Sequence, residues 1–352
     1  MTDDIQVWMK VAAFVGGGMA MGFGAIGAAI GEGYTASKAN EAIARNPQLS
    51  GDLFKTMLVG QAIAETASIF ALIIAMLLLF PSFSVISPLM IATYLAAGLC
   101  MGLGAIGSGI GSGLPTAEAC IGIERQPGMK NRITTIMLAG SAIAQSPAIF
   151  ALVTSLILLF IDFSGKPVSP TWAAILGAGL ASGLGAIGSG IGEGLVAKSG
   201  CEGIARQPLG ATRVTNVMLL GMAVTETTAI YGLLIACILI FKSFPAAESI
   251  AASMALLGAG LCMGIGAIGP GIGEGFAGQS AVKWIARNEE GTATLTRSML
   301  VGQAVAESTG IYALVISLIL IFVANNHRQL AKTGTETKAN YFFDYPFNLN
   351  IF

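Results

Sequence analysis

One unit of about 80 residues is written four times along this 352-residue chain. The string Gly-Ala-Ile-Gly begins at Gly24, Gly104, Gly185 and Gly266, in steps of 80, 81 and 81 residues. Arg45, Arg125, Arg206 and Arg287 keep the same steps. So do the position pairs Glu32/Glu65, Ser112/Gln145, Glu193/Glu226 and Glu274/Glu307. Four tandem copies of one supersecondary unit restrict the fold to an array in which like stacks on like.

Each unit is two long apolar segments around a short polar turn. In the first, residues 7–44 and 53–80 are predicted helices, joined by Arg45-Asn46-Pro47-Gln48-Leu49-Ser50-Gly51. About 20 apolar residues cross a bilayer, so these helices outrun the hydrocarbon core. They are expected to project on the turn side, where Lys38, Glu41, Arg45, Asp52 and Lys55 cluster. The expected fold is an all-α membrane protein of four tandem transmembrane hairpins, eight spans in all. The hairpins are residues 1–82, 83–165, 166–245 and 246–323, and residues 324–352 form a polar tail. Composition agrees: 11% of residues are charged, where soluble chains carry about 25%. A net charge of −1 gives no footprint for a nucleic-acid partner.

The four turns hold twelve lysines and arginines, among them Lys38, Arg132, Arg213 and Arg297, whereas the connectors between hairpins hold Lys166 and Lys242. The positive-inside rule therefore puts the turns in the cytoplasm and both termini outside. The acidic start, Met1-Thr2-Asp3-Asp4, does not read as a cleavable signal peptide. Cys100, Cys120, Cys201 and Cys262 lie in apolar segments without metal-site spacing and read as small core residues. His327 lies in the tail and is assigned no role.

Glycine dominates the first helix of every unit despite its cost of about 0.5–1 kcal/mol relative to alanine. At 100° per residue, Gly18, Gly22 and Gly33 share a stripe with Ala29, and Gly16, Gly24, Gly27 and Gly31 form a second stripe on the roughly opposite face. Two opposed small-residue faces let a helix approach a neighbour closely on each side. That pattern suits a closed ring of inner helices better than a simple bundle.

A charge at the bilayer centre costs at least about 2.5–3.5 kcal/mol, so an intramembrane glutamate is read as functional. Glu65, Glu226 and Glu307 sit midway along the second helices, and Glu32, Glu193 and Glu274 occupy the Gly-Glu-Gly of the first. Equal distances from the turn bring each pair level. Two carboxyls that close hold a proton or share a metal ion. Thr66, Thr227 and Ser308 follow the second glutamates and add oxygen, and Thr228 and Thr309 can hold a water. An oxygen-only set suits a proton or an alkali cation. The second hairpin departs: Ser112 and Gln145 cannot titrate, and Pro147 is expected to kink its helix.

The Gly-rich first helix, the Arg-Gln-Pro type of turn and the mid-span carboxylate resemble the c subunit (proteolipid) of rotary ATP synthases over about residues 7–323. The resemblance implies a non-catalytic rotor subunit whose four fused hairpins form part of a c-ring with other copies. It is expected to turn against the a subunit in the lipid bilayer and to need no cofactor beyond the ion it carries. Glu65, Glu226 and Glu307 become the principal ion carboxylates, with Glu32, Glu193 and Glu274 beside them. Thr227-Thr228 and Ser308-Thr309 match the sodium motif's hydroxyl pair, while Thr66-Ala67 lacks the second hydroxyl. Val224 and Val305 match the position whose carbonyl is a ligand, and sodium is favoured over a proton.

The turns Arg45-Asn46-Pro47, Arg125-Gln126-Pro127 and Arg206-Gln207-Pro208 match the surface that grips the central stalk, whereas Arg287-Asn288-Glu289 lacks the proline. The turns and hairpins are closer to the bacterial F-type, which implies an inner membrane. A vacuolar- or archaeal-type proteolipid of an ATP-driven pump is the alternative. A stand-alone cation-coupled transporter would need broken helices and inverted repeats, and these repeats are parallel. A structural assembly module, with the glutamates merely paired, would leave them unreactive.

Overall fold

The computed structural model describes residues 2–80, 86–247 and 250–333, with side chains from residue 4 as far as residue 324. The described residues form helices and turns and no strand. The first helices of the units are α1 (Thr2–Arg45), α3 (Pro88–Arg125), α6 (Val168–Arg206) and α9 (Ile250–Ile285). The second helices are α2 (Ser50–Leu79), the pair α4 (Lys130–Ile143) and α5 (Ser146–Phe160), the pair α7 (Ala211–Thr225) and α8 (Thr227–Phe241), and α10 (Thr292–Thr333). These make eight spans long and apolar enough to cross a membrane.

Two ends run past expectation. The first helix starts at Thr2, not residue 7, because no glycine or proline interrupts residues 2–15. The last continues to Thr333, beyond residue 323. Residues 324–333 are rich in helix formers, and the first glycine falls at 334. The remaining tail, 334–352, and part of the connectors, 81–85 and 248–249, lie outside the described residues, as does the side chain of His327.

Three turns share one geometry with one cause. Asn46, Gln126 and Gln207 stand before prolines and are pushed out of the helical region, to φ −139°, −139° and −134°. Each proline then opens a short 3-10 turn, where its missing N–H costs nothing. The fourth turn, without the proline, is built differently: α9 stops at Ile285, and the Asn288 side chain caps the Gly291 N–H at 3.2 Å.

The inner helices pack in the row α1–α3–α6–α9, with the second helices outside them. Glycine makes this possible: a Cβ on Gly111 would overlap the carbonyl oxygen of Gly190. The row is open at both ends. Gly98, Gly102 and Gly113 of α3 press on α1, yet a Cβ on their counterparts Gly18, Gly22 and Gly33 would meet nothing within 4 Å. At the far end, Gly27, Gly107 and Gly188 press on the next hairpin, and their counterpart Gly269 faces open space. Leu72, Met76, Val153, Leu234, Val315 and Ile319 lie exposed on the outer helices, as a lipid-facing surface requires. The chain is an integral, multi-pass membrane protein.

The outer helices of hairpins 2 and 3 are broken, and those of hairpins 1 and 4 are not. Pro147 explains the first break, since its ring collides with the carbonyl four residues back. There the Ile143 carbonyl accepts from Ser146 Oγ at 2.7 Å, and the Ala148 N–H donates to Ser108 Oγ at 3.1 Å. No proline marks the second break. Ser189, the repeat counterpart of Ser108, donates its hydroxyl to the Thr225 carbonyl at 2.9 Å and competes for it with the helix ladder. Ala28 and Pro270 hold this place in hairpins 1 and 4, offer no hydroxyl, and face unbroken helices.

Candidate ion-binding sites between hairpins

Inner and outer positions of each hairpin meet at one level. In hairpin 2 the contact is direct: Gln145 Nε2 donates to Ser112 Oγ at 2.8 Å. Glu32, Glu193 and Glu274 each interact electrostatically with Glu65, Glu226 and Glu307 respectively. Glu193 and Glu274 are fully buried, whereas Glu32, at the open end, is half-buried and Glu65 is exposed.

A second set of polar residues, missed in the sequence, fixes this register. One turn before the outer glutamate, Gln61 Nε2 donates to the Glu32 carbonyl at 3.1 Å and Gln303 Nε2 to the Glu274 carbonyl at 3.2 Å. Ser141 Oγ does the same to the Ser112 carbonyl at 2.9 Å. Hairpin 3 has Met222 here, and Ser189 supplies the tie. The available signal was a polar residue recurring four positions before the carboxylate in an apolar run.

The largest correction concerns the neighbours of each carboxylate. The sequence grouped Thr66, Thr227, Thr228, Ser308 and Thr309, and the carbonyls of Val224 and Val305, with the glutamate of their own hairpin. The structure turns this surface toward the following hairpin. Gln145 Nε2 donates to the Ile63 carbonyl of hairpin 1 at 3.0 Å. Tyr231 Oη of hairpin 3 donates to Glu307 Oε1 of hairpin 4 at 2.5 Å. The Thr228 hydroxyl lies 2.9 Å from where a Cβ of Gly271 would stand. A residue just after the outer glutamate lies about 100° round the helix from it, so it belongs to another interface.

Each site is thus shared by two hairpins. Tyr231 of hairpin 3 reaches Glu307, and α5 packs against α8, where Ile143, Ser146 and Phe150 are the repeat counterparts of Val224, Thr227 and Tyr231. At the ends of the chain the halves are apart. Among the described residues no hairpin packs on the open α1 stripe beside Glu32 and Glu65. Ser308 Oγ and Thr309 Oγ1 donate to the carbonyls of Val305 and Ala306 at 2.7 and 3.0 Å, on an edge where Tyr312 is 65% exposed.

The intact sites hold more acceptors than donors: Tyr231 donates to Glu307 and Ser189 Oγ lies 3.3 Å from Glu193 Oε1, yet other oxygens stay unpaired. Both carboxyl oxygens of Glu274, Oε1 of Gln303, Oε2 of Glu193 and the Thr227 hydroxyl are buried without a hydrogen-bond partner. Buried oxygens are seldom left so, and a cluster of them asks for a positive occupant.

At the turns, Lys130 pairs with Asp52 at 2.5 Å and Arg213 with Glu289 at 2.8 Å, linking neighbouring hairpins. Arg45, Asn46 and Pro47 and their counterparts are not drawn into the carboxylate sites. Arg206 pairs with Glu202 at 2.9 Å, and Leu209 beyond it is 94% exposed.

Stacked membrane hairpins with carboxylates buried between them define a proteolipid-type membrane protein. Four segments, residues 15–78, 95–158, 176–239 and 257–320, match the ATP synthase C-subunit family. The chain is 36% identical over 228 residues to the K subunit of the A-type ATP synthase of Methanocaldococcus jannaschii, covering 64% of this chain and 94% of that protein. It is 59% identical over 68 residues to the ATP synthase c subunit of Petrotoga mobilis, covering 19% of this chain and 71% of that protein. For the ATP synthase c subunit of Thermotoga maritima the identity is 58% over 67 residues, 19% of this chain and 79% of that protein. The chain belongs to the ATP synthase C-subunit family. It is an ion-translocating rotor component of a rotary ATP synthase and is not itself catalytic.

Proposed function

We propose that this rotor protein carries sodium on three sites per chain and closes into a ring with other copies of itself. The observation that carries the ion assignment is the set of unpartnered oxygens between hairpins 3 and 4. One proton serves a single acceptor pair, whereas an alkali cation draws several oxygens at once. The ring rests on the complementary open ends: Gly18, Gly22 and Gly33 at one, Gly269 at the other. In the ring, Val305, Ser308, Thr309 and Tyr312 of one chain complete the site of Glu32 and Glu65 in the next.

A site crossing lipid must be neutral, so two carboxyls hold one sodium ion and one proton. Facing the a subunit, the outer glutamate releases its ion and is reloaded from the other side. The turns at Arg45, Arg125, Arg206 and Arg287 grip the central stalk from the cytoplasm, with both termini outside. The relative matched over 228 residues is named for an A-type enzyme, which supports an ATP-driven pump as the second reading.

Carbodiimide labelling across pH, with and without sodium, tests this. Glu65, Glu226 and Glu307 should react and be protected by sodium. Reaction that follows pH but ignores sodium makes the ion a proton, and no labelling at any pH removes the carrier reading.

Tyr231→Phe should weaken one site selectively. A hydrogen bond to a charged group contributes about 1.5–3 kcal/mol, or about tenfold and more in affinity. In sodium, Glu307 should label about tenfold faster and approach Glu226, for which the counterpart of Tyr231 is Phe150. An unchanged ratio of Glu307 to Glu226 labelling would contradict it.

A further inference from the structure

The hairpin 1–2 interface has the geometry of an ion site but no carboxylate, and a neutral donor lies where the others leave oxygens unpartnered. Gln145 is 4% exposed and Ser112 fully buried. The carboxamide nitrogen, Nε2, donates both of its hydrogens: 3.0 Å to the Ile63 carbonyl of hairpin 1 and 2.8 Å to Ser112 Oγ of its own hairpin. These are the repeat counterparts of the Val224 carbonyl and the Glu274 carboxyl at the next site but one. Ser112 is held to receive it, since its own hydrogen goes to the Ser108 carbonyl at 2.7 Å. The Thr66 hydroxyl is turned to its own helix, donating to the Ala62 carbonyl at 3.2 Å.

We propose that the Gln145 carboxamide is a built-in substitute for the transported cation, which keeps the hairpin 1–2 site permanently filled, neutral and closed. This rests on the ion-carrier reading above and deepens it. A carboxylate site is neutral only while loaded, whereas this one is neutral always: an N–H of the amide takes the cation's place between the carbonyl and the inner-helix oxygen. It needs no ion to enter lipid and releases none at the stator. The substitute is incomplete in one respect. Gln145 Oε1 is buried without a partner, and the residue in the place of Tyr231, which donates to Glu307, is Phe70. The same register that gives a carboxylate its tyrosine donor leaves the carboxamide oxygen without one.

The test uses the assembled complex. In the unmodified protein, sodium-protected carbodiimide labelling of Glu65, Glu226 and Glu307 checks the ion-carrier reading independently. Gln145→Glu removes the donor and leaves two acceptors facing a carboxylate. Labelled carboxyls should rise from three to four per chain, with the new one protected by sodium and labelled faster as the pH falls, because the carbodiimide reacts with the protonated carboxyl. Thermal stability should acquire an added dependence on sodium chloride over choline chloride. If the three native glutamates label normally while the introduced carboxyl labels regardless of sodium and pH, the position is not a cation position and the proposal fails. A gentler variant covers the case in which Gln145→Glu does not assemble. Phe70→Tyr should raise the melting temperature by giving Oε1 a donor, and the gain should vanish when combined with Gln145→Leu. A neutral or lowered melting temperature, or a gain that survives Gln145→Leu, overturns the assigned orientation of the amide.

Discussion

Glu226→Gln should cost this rotor far more coupled transport than Glu307→Gln, although each removes one of three outer glutamates. The difference is positional. Around the ring the outer positions follow the order Glu65, Gln145, Glu226, Glu307 and then Glu65 of the next chain. Glu307→Gln leaves every neutral site flanked by two ion sites. Glu226→Gln puts two neutral sites side by side, and so does Glu65→Gln. In the proposed cycle each unloaded glutamate is a bare carboxylate, which requires a positive group of the a subunit opposite it, and a neutral site leaves that group without a counter-charge. Removing one partner of a buried ion pair costs about 3–5 kcal/mol. A single neutral step is part of the native cycle, because Gln145 imposes it once per chain. Two in succession double the distance over which the charge stays unpaired, and each 1.36 kcal/mol slows a step tenfold. Sodium uptake driven by ATP in reconstituted vesicles should fall by about a hundredfold or more for Glu226→Gln and Glu65→Gln. For Glu307→Gln the fall should stay near the loss of one ion in three. Equal losses in all three variants would show that spacing is irrelevant and would remove this account of the native vacancy.

That argument depends on knowing which hairpins share a site, and here the sequence had a limit. Hydropathy and the fixed steps of the repeat were enough to specify eight spans, the level of each glutamate pair and the kink at Pro147, because all three follow from contacts inside one unit. The direction in which an edge faces does not. Thr228 and Tyr231 look the same in a one-hairpin reading whether they serve Glu226 or Glu307, and just the packing of α8 beside α9 assigns them forward. The break before Thr227 was hidden for a related reason. Its cause, Ser189, is 36 residues away on another helix, and nothing near Glu226 breaks a helix. Tyr312 could have been found as a polar tip in an otherwise apolar face, at the same offset from Glu307 that Tyr231 keeps from Glu226.

The glycine stripes allow the assembly to be separated from the fold of the single chain, by two substitutions of the same chemistry. Gly111→Val should abolish the folded chain, because its Cβ would overlap the carbonyl oxygen of Gly190, a backbone atom that cannot swing aside. The α3 and α6 helices must then separate. Inserting carbon into a filled interface costs about 1–3 kcal/mol and occasionally more, and within lipid no hydrophobic term drives the helices back together. The loss also spreads, since the hairpin 2–3 site depends on the same spacing. Gly22→Val places the same side chain on the other stripe, the one by which α3 meets α1, and on α1 nothing lies within 4 Å of it. Valine is a slightly better helix former than glycine, so the isolated chain should fold normally. What it should lose is the ring, since in the closed assembly residue 22 faces α9 of the preceding copy as Gly102 faces α1. Native electrophoresis and analytical ultracentrifugation in detergent should find Gly22→Val as helical single chains and Gly111→Val as aggregate or degraded protein. Gly269→Val, on the opposite open edge, should reproduce Gly22→Val. Rings formed normally by Gly22→Val would mean that the open stripe of α1 is not the closing surface, and the shared site of Glu65 would fall with it.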